Sequence, residues 1–157
     1  MPMNIEITGL DEMLQTVENA GKHAEGIAAR ALYIGAGIVA DAITQAAGGI
    51  KTETNPPRDR KRLPTPKEKA ELLAAGPAGI AKFEKGVVVD TIIGYADKGY
   101  TASGKPVAVI ANAINSGTSF MQKQAFIRKG IRSSEARATE AVNAEIVRLV
   151  DEALKDL

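Results

Sequence analysis

"PVAVIANAINSG", residues 106–117, decides the fold. Its Val107, Val109, Ile110 and Ile114 favour an extended strand, while its alanines and its length permit helical turns. The reading leans to strand. "GVVVDTIIGYA", residues 86–96, is rich in β-branched side chains, and "DKGYTASGK", residues 97–105, supplies a glycine-containing connection. On this reading the chain from Ile80 onward forms a small, mainly antiparallel sheet.

Outward from that sheet the pattern becomes helical. "MNIEI", residues 3–7, alternates as a half-buried strand does, and Thr8 follows as an N-cap with Asp11 and Glu12 at the positive end of a helix. Apolar residues from Leu10 to Ala46, including Ile27, Ala31, Gly35, Val39 and Ile43, recur every three or four positions. One unbroken helix over that stretch is roughly 55 Å long, against a radius of gyration of about 15 Å for a domain of this size. The break is expected between Gly21 and Gly26. Residues 48–65 read as an exposed, proline-rich basic loop, and Thr65, Pro66 and Glu68 read as N-cap, first-turn proline and capping-box glutamate of a short helix ending at Gly76. Ser134 to Leu157 carries Ala138, Val142, Ile146, Leu149 and Val150 on one face, the mark of an amphipathic helix. The expectation is a single α+β domain over residues 1–157: long N-terminal helices, a small mainly antiparallel sheet and a C-terminal amphipathic helix.

The 157 residues are 45% hydrophobic and 25% charged, with a net charge of +1 and no cysteine. Such a chain folds on its own core, without disulfides or thiolate chemistry. No secretory signal is visible at the start and no apolar run is read as a membrane span, so a cytoplasmic protein is expected, with no membrane partner. An enzyme is not expected either. His23, the one histidine, sits in a glycine-flanked stretch, and Ser116, Ser119, Ser133 and Ser134 lack a nucleophile elbow. Asp11 with Glu12, and Asp151 with Glu152, read as solvated helix faces. "GAGIVADA", residues 35–42, has glycines but no preceding strand, so Gly35 and Gly37 indicate close helix packing, not a nucleotide loop. No cofactor or metal is implied.

Two segments remain as candidate contact sites. Arg58, Arg60, Lys61 and Arg62 form a basic cluster suited to phosphate, though Asp59 interrupts it and no aromatic is interleaved. The same loop suits a segment that becomes ordered against a neighbouring subunit. The second segment is "GTSFMQKQAFIRKGI", residues 117–131. Gly117 is placed for a positive φ, with Thr118 or Ser119 bonding the turning chain. Phe126, Ile127 and Ile131 fall at helical spacing, able to pin a helix onto the sheet with Arg128 and Lys129 outward.

This second segment resembles the gene-product-ten-like head-to-tail joining family of lambdoid long-tailed bacteriophages, in which a Glu-aromatic-Gly-Thr-Ser run precedes a Pro-Phe-Leu-Arg-Pro-Ala-type stretch. Gly117, Thr118, Ser119, Phe126 and Arg128 match that pattern, and Ile127 and Ile131 match its apolar positions. Asn115 stands where the family has glutamate, and Ala125 and Lys129 stand where it has prolines. "IEITGLDEML", residues 5–14, is similar to the family's first strand and helix start, and the order of segments covers nearly the whole chain. The resemblance implies a structural virion part, a head-tail joining or tail-completion (neck) component of a phage or prophage. It would be a homo-oligomeric ring between head connector and tail tube proteins, assembled in the host bacterial cytoplasm. The alternative from the residues alone is a small DNA-binding module using residues 58–62.

Overall fold

Four helices carry the fold in this computed structural model, which describes residues 24–84, 87–95 and 99–155. Helix α1 is Ala24–Gly48, α2 Pro66–Ala75, α3 Val107–Ser116 and α4 Phe126–Lys155. The strand expected at residues 3–7 and the helix start at residues 8–12 lie outside the described residues. The break expected between Gly21 and Gly26 falls partly outside the described residues, and α1 runs from Ala24 through Gly26 for 25 residues.

The α+β expectation is overturned, because the described chain is helical and has no sheet layer for helices to cover. The helices are 25, 10, 10 and 30 residues long. Among the described residues the named strands form one two-stranded ribbon, β1 Ala78–Glu84 and β2 Val87–Gly94, paired only with each other. The segment that was to extend it, residues 106–117, is α3 instead. Its Val107, Ile110, Ala111 and Ile114 follow i, i+3, i+4, i+7 spacing and are all buried, whereas Val109, which strand alternation would place with Val107, is 56% exposed. Burial on one helical face outweighed the β preference of valine and isoleucine.

The chain divides into two compact units, and α1 and α4 each contribute to both, so no single cut in the sequence separates them. The first comprises residues 24–38, 79–93 and 135–155. Its core is Ile27 and Ala31 of α1 with Val142, Ile146, Leu149 and Val150 of α4, flanked by Leu32 and Ala153. Burying each of the larger aliphatic side chains contributes about 1.5–3 kcal/mol. Gly35 lies directly against the Val142 side chain, as close helix packing requires, while Gly37 faces open space.

The second unit comprises residues 39–78 and 94–134. Val39, Ile43, Leu72, Val107, Ile110, Ile114, Met121 and Phe126 are buried there, and α2 packs against α3. Helix α2 starts and stops as its sequence dictates. The Glu68 N–H donates to Thr65 Oγ1 at 3.1 Å, the Thr65 N–H donates to the Glu68 carboxylate at 2.8 Å, and Gly76 ends the helix at φ 64°. The Lys69 ammonium donates to the carbonyls of Gly48 and Ile50 at 2.8 and 3.0 Å, placing a cation where the α1 dipole ends negative.

Contrary to the sequence reading, Gly26–Gly48 is long and apolar enough to cross a membrane by length and composition. Its apolar stripe is nevertheless occupied by protein packing: Ile27, Ala31, Val39, Ala42, Ile43 and Ala47 are all buried.

Candidate interaction surface

The two segments singled out in the sequence are hydrogen-bonded to each other within the second unit. The Arg62 N–H donates to the Phe120 carbonyl at 2.8 Å and the Gln122 N–H donates to the Arg62 carbonyl at 2.9 Å, a short parallel bridge between loop 51–65 and turn 117–125. Two glutamines extend this seam. Gln122 Nε2 donates to the Lys61 carbonyl at 2.9 Å, while the Gln124 carboxamide both accepts from the Lys51 N–H at 2.8 Å and donates to the Lys51 carbonyl at 2.9 Å. A carboxamide carries donor and acceptor side by side, so it pairs with a peptide group as a neighbouring strand does.

The turn has the geometry expected of Gly-Thr-Ser. Gly117 takes φ 76°, a left-handed value, and an added Cβ there would stand 3.0 Å from Lys123 Cβ. Thr118 Oγ1 accepts from the N–H groups of Phe120 and Met121 at 3.1 and 2.9 Å. Ser119 is exposed and joins none of these bonds. The consequence is Phe120, which sequence reasoning passed over: its backbone is held by the seam and its ring is 77% exposed.

Phe126 is buried, with its ring tilted 60° to that of Tyr95 at 6.1 Å, so it packs into the core of the unit beside the residue that follows β2. Ile127 is half-buried and Arg128 and Lys129 are exposed. Asn115, the residue in the glutamate position, accepts the Ile127 N–H on its side-chain oxygen at 3.1 Å and so satisfies a donor in the first turn of α4 from outside that helix.

The basic loop is internally tied. Glu53 accepts from the Leu63 N–H at 2.6 Å and from Arg60 at 2.9 Å, and the Leu63 bond, together with Arg60, holds its carboxyl below the ordinary range against the opposing effect of burial. Arg62 grips Glu68 through two bonds of 2.8 and 2.9 Å, so one carboxylate serves both the α2 cap and the loop. That pairing pushes the Glu68 carboxyl down and the Arg62 guanidinium up. Of the four sequence-flagged cations, Arg60 and Arg62 are therefore committed to internal pairs. Arg58 and Lys61 remain exposed, with Lys51 and Lys123 exposed along the same seam.

A second surface lies in the first unit: a shallow groove of about 360 Å³ lined by Ala29, Arg30, Tyr33, Ile34 and Glu145. Tyr33 is 75% exposed and Ile34 40%. Among the described residues no His, Cys, Asp and Glu side chains gather as a metal site. No protein-family model matches this chain, and no curated protein or solved structure is detectably similar to it.

Proposed function

We propose that this protein is a structural virion assembly component, a head-tail joining or tail-completion part of the neck of a long-tailed phage or prophage, acting through ring-forming subunit contacts with no chemical step. The reading begins with the resemblance carried by Gly117, Thr118, Ser119, Phe126 and Arg128. Those residues occupy a turn and the start of α4, so they do not depend on the sheet, although the strands that stood between them and the first helix in the expected order do.

The observation that carries it is Phe120. A large aromatic ring held out on a hydrogen-bonded turn, with exposed Lys61 and Lys123 on the two segments that the bonds join, has the form of an interface anchor with a polar rim. The Tyr33–Ile34 groove offers a second, unlike apolar surface. Subunits of a ring need two different complementary surfaces, since each copy meets one neighbour with each. Head connector and tail tube proteins are the partners this reading implies, with the virion as the final location. DNA binding through residues 58–62 is less favoured, because two of its four cations are already neutralised by Glu53 and Glu68.

The test is joining. Purified protein added to separated heads and tails should yield joined particles under the electron microscope, and Phe120→Ala should reduce them. Failure of the wild-type chain to bind either tails or connectors would discard the proposal.

A further inference from the structure

Residues 98–134 hold six Lys and Arg and no Asp or Glu, although the whole chain has 19 acids. Lys105, Lys123, Arg128, Lys129 and Arg132 of that stretch are exposed. The Phe120 turn lies inside it, and the loop bonded to the turn adds cations of its own. Lys61 is held through its carbonyl by the Gln122 carboxamide, and Lys51 through both its backbone groups by the Gln124 carboxamide. Lys51, Lys61 and Lys123 are thus three exposed lysines fixed on the same seam as the exposed Phe120 ring.

These lysines are not used to hold the fold. Arg60 and Arg62 each have a carboxylate, Glu53 and Glu68, and with it they tie the loop. Lys51, Lys61 and Lys123 make no ion pair among the described residues. Asp59 is the one exposed acid of loop 51–65. Like charges gathered without counter-charge repel one another. Carboxylates brought by a partner would relieve that repulsion.

We infer that the partner of the Phe120 turn is an acidic protein surface, with an apolar socket for the ring and a rim of Asp and Glu side chains that meet Lys51, Lys61 and Lys123. An aromatic anchor contributes most where it is desolvated, and a rim of complementary charge steers the encounter and rejects basic partners. A nucleic-acid duplex matches only half of this surface. Its phosphates suit the lysines, but its backbone offers no socket for an apolar ring. A single strand stacks its bases on several aromatic side chains in succession, and residues 51–65 and 117–125 hold Phe120 alone. This inference rests on the assembly reading and adds to it the chemistry of the neighbouring protein.

Binding of the full chain to separated tails and heads tests it, first across salt from about 10 mM to about 1 M, over which the screening length contracts from about 30 Å to about 3 Å. Binding should weaken steadily as salt rises. Lys61→Glu with Lys123→Glu should weaken it by about tenfold or more at low salt. Arg137→Glu with Lys155→Glu makes the same change in net charge on exposed residues of the first unit and should leave binding nearly unchanged. Circular dichroism shows whether each variant is folded. A zero-length carbodiimide, which couples a lysine amine to a carboxylate in contact with it, tests the unaltered chain. Peptides carrying Lys51, Lys61 or Lys123 should be joined to Asp or Glu of a tail or connector protein. Binding indifferent to salt and to the seam reversals, or cross-links that avoid these lysines, would overturn the inference while leaving the assembly reading intact. Cross-links from them to another copy of this chain would overturn it in favour of self-association. Binding to duplex or single-stranded DNA that the seam reversals abolish, without binding to tails or heads, would overturn it in favour of nucleic acid. A chain that binds neither tails, heads nor DNA would sink both proposals.

Discussion

Gly130 of α4 lies on the backbone of Ile43 in α1: a Cβ added at residue 130 would stand 2.6 Å from Ile43 Cα and 2.7 Å from its nitrogen. Those atoms belong to a helix backbone and have no rotamer into which to withdraw. Gly130→Ala is therefore expected to destabilise the fold by about 3 kcal/mol, as overpacking against rigid neighbours does. Gly37 provides the contrast, since nothing lies within 4 Å of a Cβ added there. Gly37→Ala should stabilise by about 1 kcal/mol through helix propensity alone. Urea midpoints of the two variants should move in opposite directions.

Tyr95 is 3% exposed and its hydroxyl has no hydrogen-bond partner among the described residues. Tyr95→Phe removes that unsatisfied group and keeps the ring against Phe126, so stability should rise by about 1–2 kcal/mol. Burial also raises the phenol from 10.0 to about 12. A raised acid constant in the folded state means that stability is complete below pH 10.0 and falls as pH rises towards about 12. The phenylalanine variant should lack that alkaline loss, and thermal melts across this range measure it.

Glu68 joins the Thr65 cap, the start of α2 and Arg62 of the basic loop. Its carboxyl is lowered chiefly by the Arg62 hydrogen bonds, so its contribution is present above the unfolded carboxylate value and lost as pH falls through the folded one. Glu68→Gln should cost about 1.5–3 kcal/mol near neutrality, the range for charge-assisted bonds. It should also shrink the difference in urea midpoint between about pH 7 and about pH 3. An unchanged acid dependence would show that other carboxylates control it.

The elements legible in the sequence were those specified by local chemistry. Thr65, Pro66, Glu68 and Gly76 bounded α2 because caps are satisfied by neighbours three or four residues away. The buried stripes of α1 and α4 were legible for a similar reason, since Ile27, Ala31, Val39 and Ile43, and Ala138, Val142 and Ile146, repeat over many turns. Residues 106–117 misled because strand propensity and helical spacing coexist there over only a few turns. The i, i+3, i+4, i+7 placement of Val107, Ile110, Ala111 and Ile114 was the signal to follow. At the candidate surface, the left-handed Gly117 and the role of Thr118 were readable from residue type. The pairings of Gln124 with Lys51 and of Gln122 with Lys61 join residues distant in sequence, and no local pattern encodes them. Phe120 was overlooked for the same reason, as its exposure follows from where those long-range bonds hold the turn.

Phe120 and Thr118 separate contact from support. The Phe120 ring is mostly solvated in the isolated chain, so Phe120→Ala should leave stability within about 0.5 kcal/mol of the parent, as surface changes do. If the ring is an anchor, the same change should weaken subunit or tail binding by about 2 kcal/mol, roughly 30-fold. Thr118→Val keeps the ring and removes the acceptor for the N–H groups of Phe120 and Met121. It should cost about 1 kcal/mol of stability and loosen the turn, giving a smaller loss of binding. The discriminating readout is the pairing of a melting curve with a binding isotherm for each variant. Should Phe120→Ala bind as tightly as the parent, the ring would be an incidental exposed aromatic, and the Tyr33–Ile34 groove would be the surface to probe next.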